Sequence, residues 1–515
     1  VQLVVTGNSQ SIVWTGAAGN SWNLNSEANW TGSPGTFYNL DAVTFNDTAT
    51  NGAITLTGAL QPQQISVANN ITGYSFSGSG SIAGSAALTK SGSGTLTINT
   101  ANTYTRGTTI GGGTVSISTG AGLGTGFVAL NSSTLNLGAT ALTFANELRN
   151  TGSSILGITS GNNTLTGILT GTGTLAFNFP AGGLMTLQGN IDAFSGGVSL
   201  TGTGGTLRFN PPTGAAWGGA DIAFDAGTQT INNRSLGNIE ISLGALSGAA
   251  GSAVRGSDQA GPAVDTYLVG ALNTDTTFAG SISNGTGATP HTTALTKVGT
   301  GTLTLAGSSN IGGDVEVTAG TLAVSGTLVS SLGNLDVSSG ATLRLSSGTV
   351  AMDQIVIDSG GSLEGCGTLV ADLINNGTVH ADCGVKLTIN GDVVNNGTFQ
   401  ITNGTDFELN GSFTNAGLLD LLTADVSPAV LQNIVNQGVI LDSSKVQVAS
   451  ASRTNGFTVT IQGYAGHNYR LQRSANLAGT WTDVGAVQAG NGAVLTFNDP
   501  AAAGSAAFYR IAVTP

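Results

Sequence analysis

Charged side chains are scarce in this chain: Asp, Glu, Lys and Arg make up 8% of its 515 residues, where an ordinary soluble domain carries about 25%. With only 14 Lys and Arg against 27 Asp and Glu, it cannot neutralise a run of phosphates, which excludes nucleic acid as a partner. Three histidines and two cysteines leave little from which to build a His/Cys metal centre, so no metal or cofactor is expected. No run of about twenty apolar residues occurs, so no helix is predicted to cross a membrane. Disorder is excluded as well. It requires low hydrophobicity and high net charge, whereas 40% of these residues are hydrophobic and the net charge is −13.

What the chain has instead is glycine, 80 residues of it, among short alternating runs of Val, Ile, Leu and Thr. That combination predicts an all-β protein with many tight turns. One sentence is written almost twice. Leu88-Thr89-Lys90-Ser91-Gly92-Ser93-Gly94-Thr95-Leu96-Thr97-Ile98 returns as Leu295-Thr296-Lys297-Val298-Gly299-Thr300-Gly301-Thr302-Leu303-Thr304-Leu305. Each copy leads to a second Gly-Thr-aliphatic strand, Gly113-Thr114-Val115 and Gly320-Thr321-Leu322, and the step from Gly94 to Gly113 equals that from Gly301 to Gly320. Later, Asn375-Asn376-Gly377, Asn395-Asn396-Gly397, Asn415-Ala416-Gly417 and Asn436-Gln437-Gly438 recur at a nearly constant interval. A short strand returning at so regular a period predicts a stacked solenoid. It also predicts an Asn ladder, since Asn tolerates a left-handed turn and its amide can bond the same residue in the next coil.

The text divides into five stretches. Residues 1–50 hold a strand-prone start, Val1-Gln2-Leu3-Val4-Val5, then Trp14, Trp22 and Trp30; the three indoles suit a cap over the open first coil, with a sugar-binding platform as the alternative. Residues 51–245 read as a first run of coils, 246–294 as an irregular insertion or loop, and 295–445 as a second run with the Asn ladder. Residues 446–515 read as a small β-sandwich, with strands expected at 457–461, 469–472, 480–484, 493–497 and 508–512. In that tail Tyr469, Trp481 and Tyr509 are expected as core, with Trp481 as a further candidate contact. Cys366 and Cys383 lie about one coil period apart, and stacked strands about 4.8 Å apart suit a disulfide; such a bond fits an oxidising, extracellular location. The chain opens at Val1 rather than Met, which points to a leader already removed.

Leu88 to Leu96, continued by Asn102-Thr103-Tyr104-Thr105-Arg106-Gly107-Thr108-Thr109-Ile110 and Gly113-Thr114-Val115, resembles the autotransporter-associated β-strand repeat, with Arg106 where that family usually shows Gly. The resemblance implies a right-handed parallel β-helix in a secreted or surface-exposed bacterial protein. Tyr469-Arg470-Leu471-Gln472-Arg473-Ser474, Trp481 and Phe508-Tyr509-Arg510-Ile511 look like a C-terminal module of large secreted proteins from environmental bacteria. The strand pattern of a terminal membrane barrel is not found, so release or assembly outside the cell is expected rather than self-anchored display.

No chemistry stands out. His291, His380 and His467 have no metal-like partner at local spacing, and no serine has a recognisable nucleophile context. Asp353, Asp358, Glu364 and Asp372 form the densest acidic group in the repeats, the place where a polysaccharide lyase or hydrolase would need its carboxylates; an acidic solvated stripe is the plainer reading. The expectation is a non-catalytic solenoid of roughly twenty coils, on the order of 90 Å long at about 4.8 Å per coil. It would serve as a stalk or fibre subunit that self-associates through Val1, Leu3, Val4 and Val5. The alternatives are a glycan-binding adhesin and, after it, the carbohydrate-active enzyme.

Overall fold

A computed structural model describes residues 9–514 apart from 160, 211–215, 226–227, 403, 425, 427–429, 431, 455 and 503–506. The chain forms two compact units, Val1–Gly313 and Asp314–Pro515. No helix of the described residues is long and apolar enough to cross a membrane. Both units contain stacked parallel strands, and the second ends in antiparallel sheets.

In the first unit each strand pairs in parallel register with the strand one coil later, so like residues lie over like. One interior column reads Tyr74, Leu96, Val115, Leu135, Leu156, Phe177 and Leu200, every one at most 1% exposed. The cause is the period-two alternation: with one face of each short strand buried, a register slip of one residue would turn the apolar set outward. A second column runs from Ser11–Val13 through Ala42–Asn46, Gln64–Ala68 and Leu88–Ser91 to Leu169–Gly171. Trp14 and Trp22 lie in the first described coil, whereas the segment of Trp30 runs antiparallel to it. The Thr31 N–H donates to the Val13 carbonyl and the Thr15 N–H to the Asn29 carbonyl, so this segment covers the edge that Ser11–Val13 would otherwise leave open.

Residues 246–294 correct the expectation of an irregular insertion. Ala253–Ser257, Val264–Val269 and Ser281–Ser283 continue the parallel stack, with Ile239 over Asp265 and Val264 over Thr292. Each of these partners stands further along the chain from the other than Thr114 does from Thr95. The longer coils hide the period. The interior positions taken by Ser257, Asp265, His291 and Thr293, all 0% exposed, break the apolar alternation by which a strand is recognised.

In the second unit, Asn375 donates its Nδ2 to Asn395 Oδ1, Asn395 to Asn415 and Asn415 to Asn436, each at 2.8 Å. None of these asparagines has a positive φ, which corrects the left-handed turn expected for them; they end strands, and the first three are wholly or partly buried in the stack. The following glycines answer to space. A Cβ on Gly417 would lie 2.1 Å from the Gly397 carbonyl oxygen.

After the last coil strand, Val439–Leu441, come two three-stranded antiparallel sheets. One holds Val448–Ser452, Phe457–Gln462 and Val494–Asp499 in that order, the other Thr482–Ala489, Asn468–Ser474 and Phe508–Thr514. They enclose Val459, Ile461, Tyr469, Leu471, Leu495 and Phe497, joined by Leu422 from the solenoid end. The first of the six strands, Val-Ala-Ser-Ala-Ser, has no large alternating apolar set and so carries no strand signal in sequence.

Candidate functional site

The repeated Leu-Thr-Lys line is explained by its lysines. Lys90 is 0% and Lys297 1% exposed. The Lys90 ammonium donates to the carbonyls of Ser91 and Gly92 at 2.7 and 2.9 Å and reaches Gly112 at 3.5 Å, in the next coil. Lys297 donates to Val298 and Gly299, both at 2.8 Å. Gly92 and Gly299, at φ +76 and +70, turn the chain so that these carbonyls face the ammonium, a backbone state that side chains resist. Burial pushes both lysines below their ordinary value, Lys297 to about 8, while Asp47 and Asp275 pull the other way. The motif is a buried cation that gathers carbonyls at a turn.

Asp47 closes a turn of its own. The backbone N–H groups of Asn70, Ile71 and Thr72 donate to its carboxylate at 2.9–3.1 Å. Those bonds, Thr72 first, lower its pKa from 3.8 to about 2. A carboxylate with a depressed folded pKa stabilises the fold above its unfolded value, and that contribution is lost as pH falls from about 4 towards about 2. Thermal melts are therefore expected to show wild type more stable than Asp47→Asn at pH 7, the gap closing by about pH 2. A gap unchanged across that range would rule out the carboxylate as its source.

Trp14, Trp22 and Trp30 come together at the first coil. They are 0%, 0% and 4% exposed, and Trp30 meets Trp14 and Trp22 edge-on, with centroids 5.1 and 5.5 Å apart. Phe37 and Phe45 complete the cluster. A sugar platform needs an open ring face, which these three do not offer. Trp481 belongs to the second unit and lies outside the apolar core there, correcting its expected place in the core; Tyr469 is buried, Tyr509 half-buried. Arg510 sits over the Trp481 ring, 4.5 Å from its centroid. Val1, Leu3, Val4 and Val5 lie outside the described residues.

Cys366 and Cys383 form a disulfide with Cα atoms 6.0 Å apart. It closes a loop of 17 residues, for which the chain-entropy model gives about 3 kcal/mol. Reduction, or the double Cys→Ala variant, is expected to lower the denaturation midpoint of the second unit; an unchanged midpoint would show that the cross-link adds nothing to stability.

The four carboxylates singled out by density are otherwise engaged or apart. Glu364 meets Arg344 at 3.2 Å, and Asp372 accepts the Asp392 N–H at 2.9 Å. Asp353 and Asp358 are exposed; Asp358, after burial, helps raise the Asp336 pKa. Among the described residues no three His, Cys, Asp or Glu side chains are grouped so as to hold a metal ion.

Two histidines have partners that sequence spacing could not indicate. His291 Nδ1 lies 3.2 Å from Asp265 Oδ1, both side chains 0% exposed. His467 Nε2 lies 2.7 Å from Asp420 Oδ2, and this pair ties the sandwich to the coil strand Leu418–Asp420. The partners are 26 and 47 residues apart. His380 is half-buried, 3.4 Å from Thr402 Oγ1.

Two stretches of the chain match a known family model. The model of the passenger-associated-transport-repeat matches twice, at residues 88–117 and 295–324, the two stretches that carry Lys90 and Lys297. No curated protein and no solved structure matches the chain.

Proposed function

We propose that this chain, which carries two passenger-associated-transport repeats among stacked parallel strands, is the passenger-like part of a secreted or surface-exposed protein and that its task is structural. One observation carries the reading: the buried polar side chains of the coils bond within the stack. Lys90 and Lys297 hold carbonyls, the Asn375–Asn436 ladder joins coil to coil, and Asp265 and His291 face each other in the interior. A stacked solenoid grows by repeating such contacts, so its product is rigid length and surface.

In this reading the chain is a non-catalytic subunit of a surface fibre or stalk. It polymerises head to tail, its Val1–Val5 segment adding as a strand to the C-terminal sandwich of the next subunit. Heterologous contacts that do not close into a ring make open polymers. Negative-stain microscopy of the purified protein tests it. Filaments that disappear on deletion of residues 1–6 are expected; uniform monomers at every concentration would refute the fibre, and filaments unchanged by the deletion would refute strand donation.

A glycan-binding role has one observation in its favour, the half-buried Trp481 ring with Arg510 over it. Binding on a glycan array that is lost in a folded Trp481→Ala variant would support it, and no binding to any glycan would remove it.

A further inference from the structure

The C-terminal sandwich is closed along one side and open along the other. On the closed side, strands Thr482–Ala489 and Val494–Asp499 follow each other in the chain, and Gln488 Nε2 donates to the Thr496 carbonyl at 2.7 Å. On the other side, the edge strands are Val448–Ser452 in one sheet and Phe508–Thr514 in the other. Among the described residues neither has a strand paired on its outer edge, although Tyr509 crosses to the other sheet, stacking on Phe457 and donating to Asp499 Oδ2 at 2.9 Å. The inner face of Val448–Ser452 is uncovered, whereas Tyr509, Ile511 and Val513 of the other edge pack against the core. Val448 is 60% exposed although Ile461, beside it in register, is 1% exposed. Ala451 is exposed beside Val459, which is 3% exposed.

A crevice of about 260 Å³ runs between these edges, lined by Leu422, Ser443, Val446, Val448, Ile461, Ile511 and Val513. It holds no charged side chain. Nor does the Val448–Ser452 edge carry the Lys or Pro with which proteins usually blunt an open strand. This is the shape left when one strand of a sandwich is missing: an apolar slot on one side and unpaired backbone groups on the other.

We infer that the slot beside Phe508–Thr514 receives residues Val1–Val5 of a second copy of this chain as an added strand. The inference rests on the head-to-tail reading above and names its acceptor. Val1-Gln2-Leu3-Val4-Val5 lies outside the described residues and has no charged side chain to bury. Alternation puts Val1, Leu3 and Val5 on one face, which covers Val448 and Ala451. The same strand pairs the free edge of Phe508–Thr514. Its five residues span about 17 Å, within the length of that seven-residue edge.

The test combines the full chain, the chain lacking residues 1–8, and a labelled peptide of residues 1–8. In each protein form Val448→Lys/Ala451→Lys places one cation in the slot and a second on the uncovered face beside it. Both positions are exposed in the monomer, so thermal melts are expected to stay at wild-type values. Expected results are filaments from the full chain, peptide binding to the shortened chain, and loss of both, with at least tenfold weaker peptide affinity, in the double-lysine forms. Peptide affinity unchanged by the lysines would overturn the slot as acceptor while leaving strand donation standing. Peptide binding that needs the slot, in a full chain that stays monomeric, would mean insertion within one molecule and would overturn the second copy. No filaments and no peptide binding would remove both readings.

Discussion

Asp420→Ala is expected to release the C-terminal sandwich from the last coil. Asp420 and His467 are 3% and 2% exposed. The Asp420 carboxylate meets His467 Nε2 at 2.7 Å and accepts from Gln400 Nε2 at 3.0 Å and from the Leu422 N–H at 3.1 Å. Alanine leaves the buried His467 nitrogen and the Leu422 N–H without that acceptor, and each buried polar group left without its partner costs about 1–3 kcal/mol. Other contacts cross the junction. Leu422 is the solenoid-end side chain fully buried in the sandwich core, and Tyr464 reaches back to the Lys445 carbonyl at 3.4 Å. Lys445 lies in an exposed turn, Ser443–Lys445, and is a ready trypsin site. Cleavage there is expected to be at least tenfold faster in Asp420→Ala, with Asp420→Asn in between because its remaining oxygen can still accept from Leu422. Equal cleavage rates in all three proteins would show that the pair does not hold the sandwich.

The second large effect is expected inside the repeat. Lys90→Met keeps an unbranched apolar stem but removes the ammonium from the carbonyls of Ser91, Gly92 and Gly112. A buried polar group without its partner costs about 1–3 kcal/mol, and backbone carbonyls cannot turn away. Relief of the cost of burying the charge, the same burial that lowers the lysine pKa, offsets part of this, and the carbonyls are half-buried. The net loss is about 1–2 kcal/mol, roughly a tenfold loss of hydrogen-exchange protection if the opening is local. The loss should centre on residues 88–117. Lys297→Met is expected to do the same around its own turn, and the exposed Lys445→Met to do nothing. Protection at 88–117 that survives Lys90→Met would reduce the lysine to a spacer.

The two lysines also mark how far sequence reading reached. Their repetition is visible in the sequence but its reason is not, because what the ammonium bonds is set by carbonyls that only the fold brings around it. The Asn ladder was legible because ladder partners share one position of a fixed period. The left-handed turn assigned to it was not correct, since the close approach of Gly397 to Gly417 is a demand of stacking that no single coil expresses. Residues 246–294 were misread for the opposite reason. Their coils are longer than the one from Thr95 to Thr114, and Asp265 and His291 stand inside, where the alternation calls for apolar side chains.

By itself the sequence determined a sparsely charged, glycine-rich, alternating chain with a near-constant period, and physical chemistry gives that pattern one outcome: strands stacked in parallel with like residues superposed. Only the tertiary structure decided what the polar exceptions do. Asp265 with His291 and Asp420 with His467 meet across 26 and 47 residues, and the open side of the sandwich exists only once six strands have been assigned to two sheets. Periodicity is a local property and can be read along the chain. A buried pair or an unfilled slot is a relation between distant segments, and it has no signal until folding brings them together.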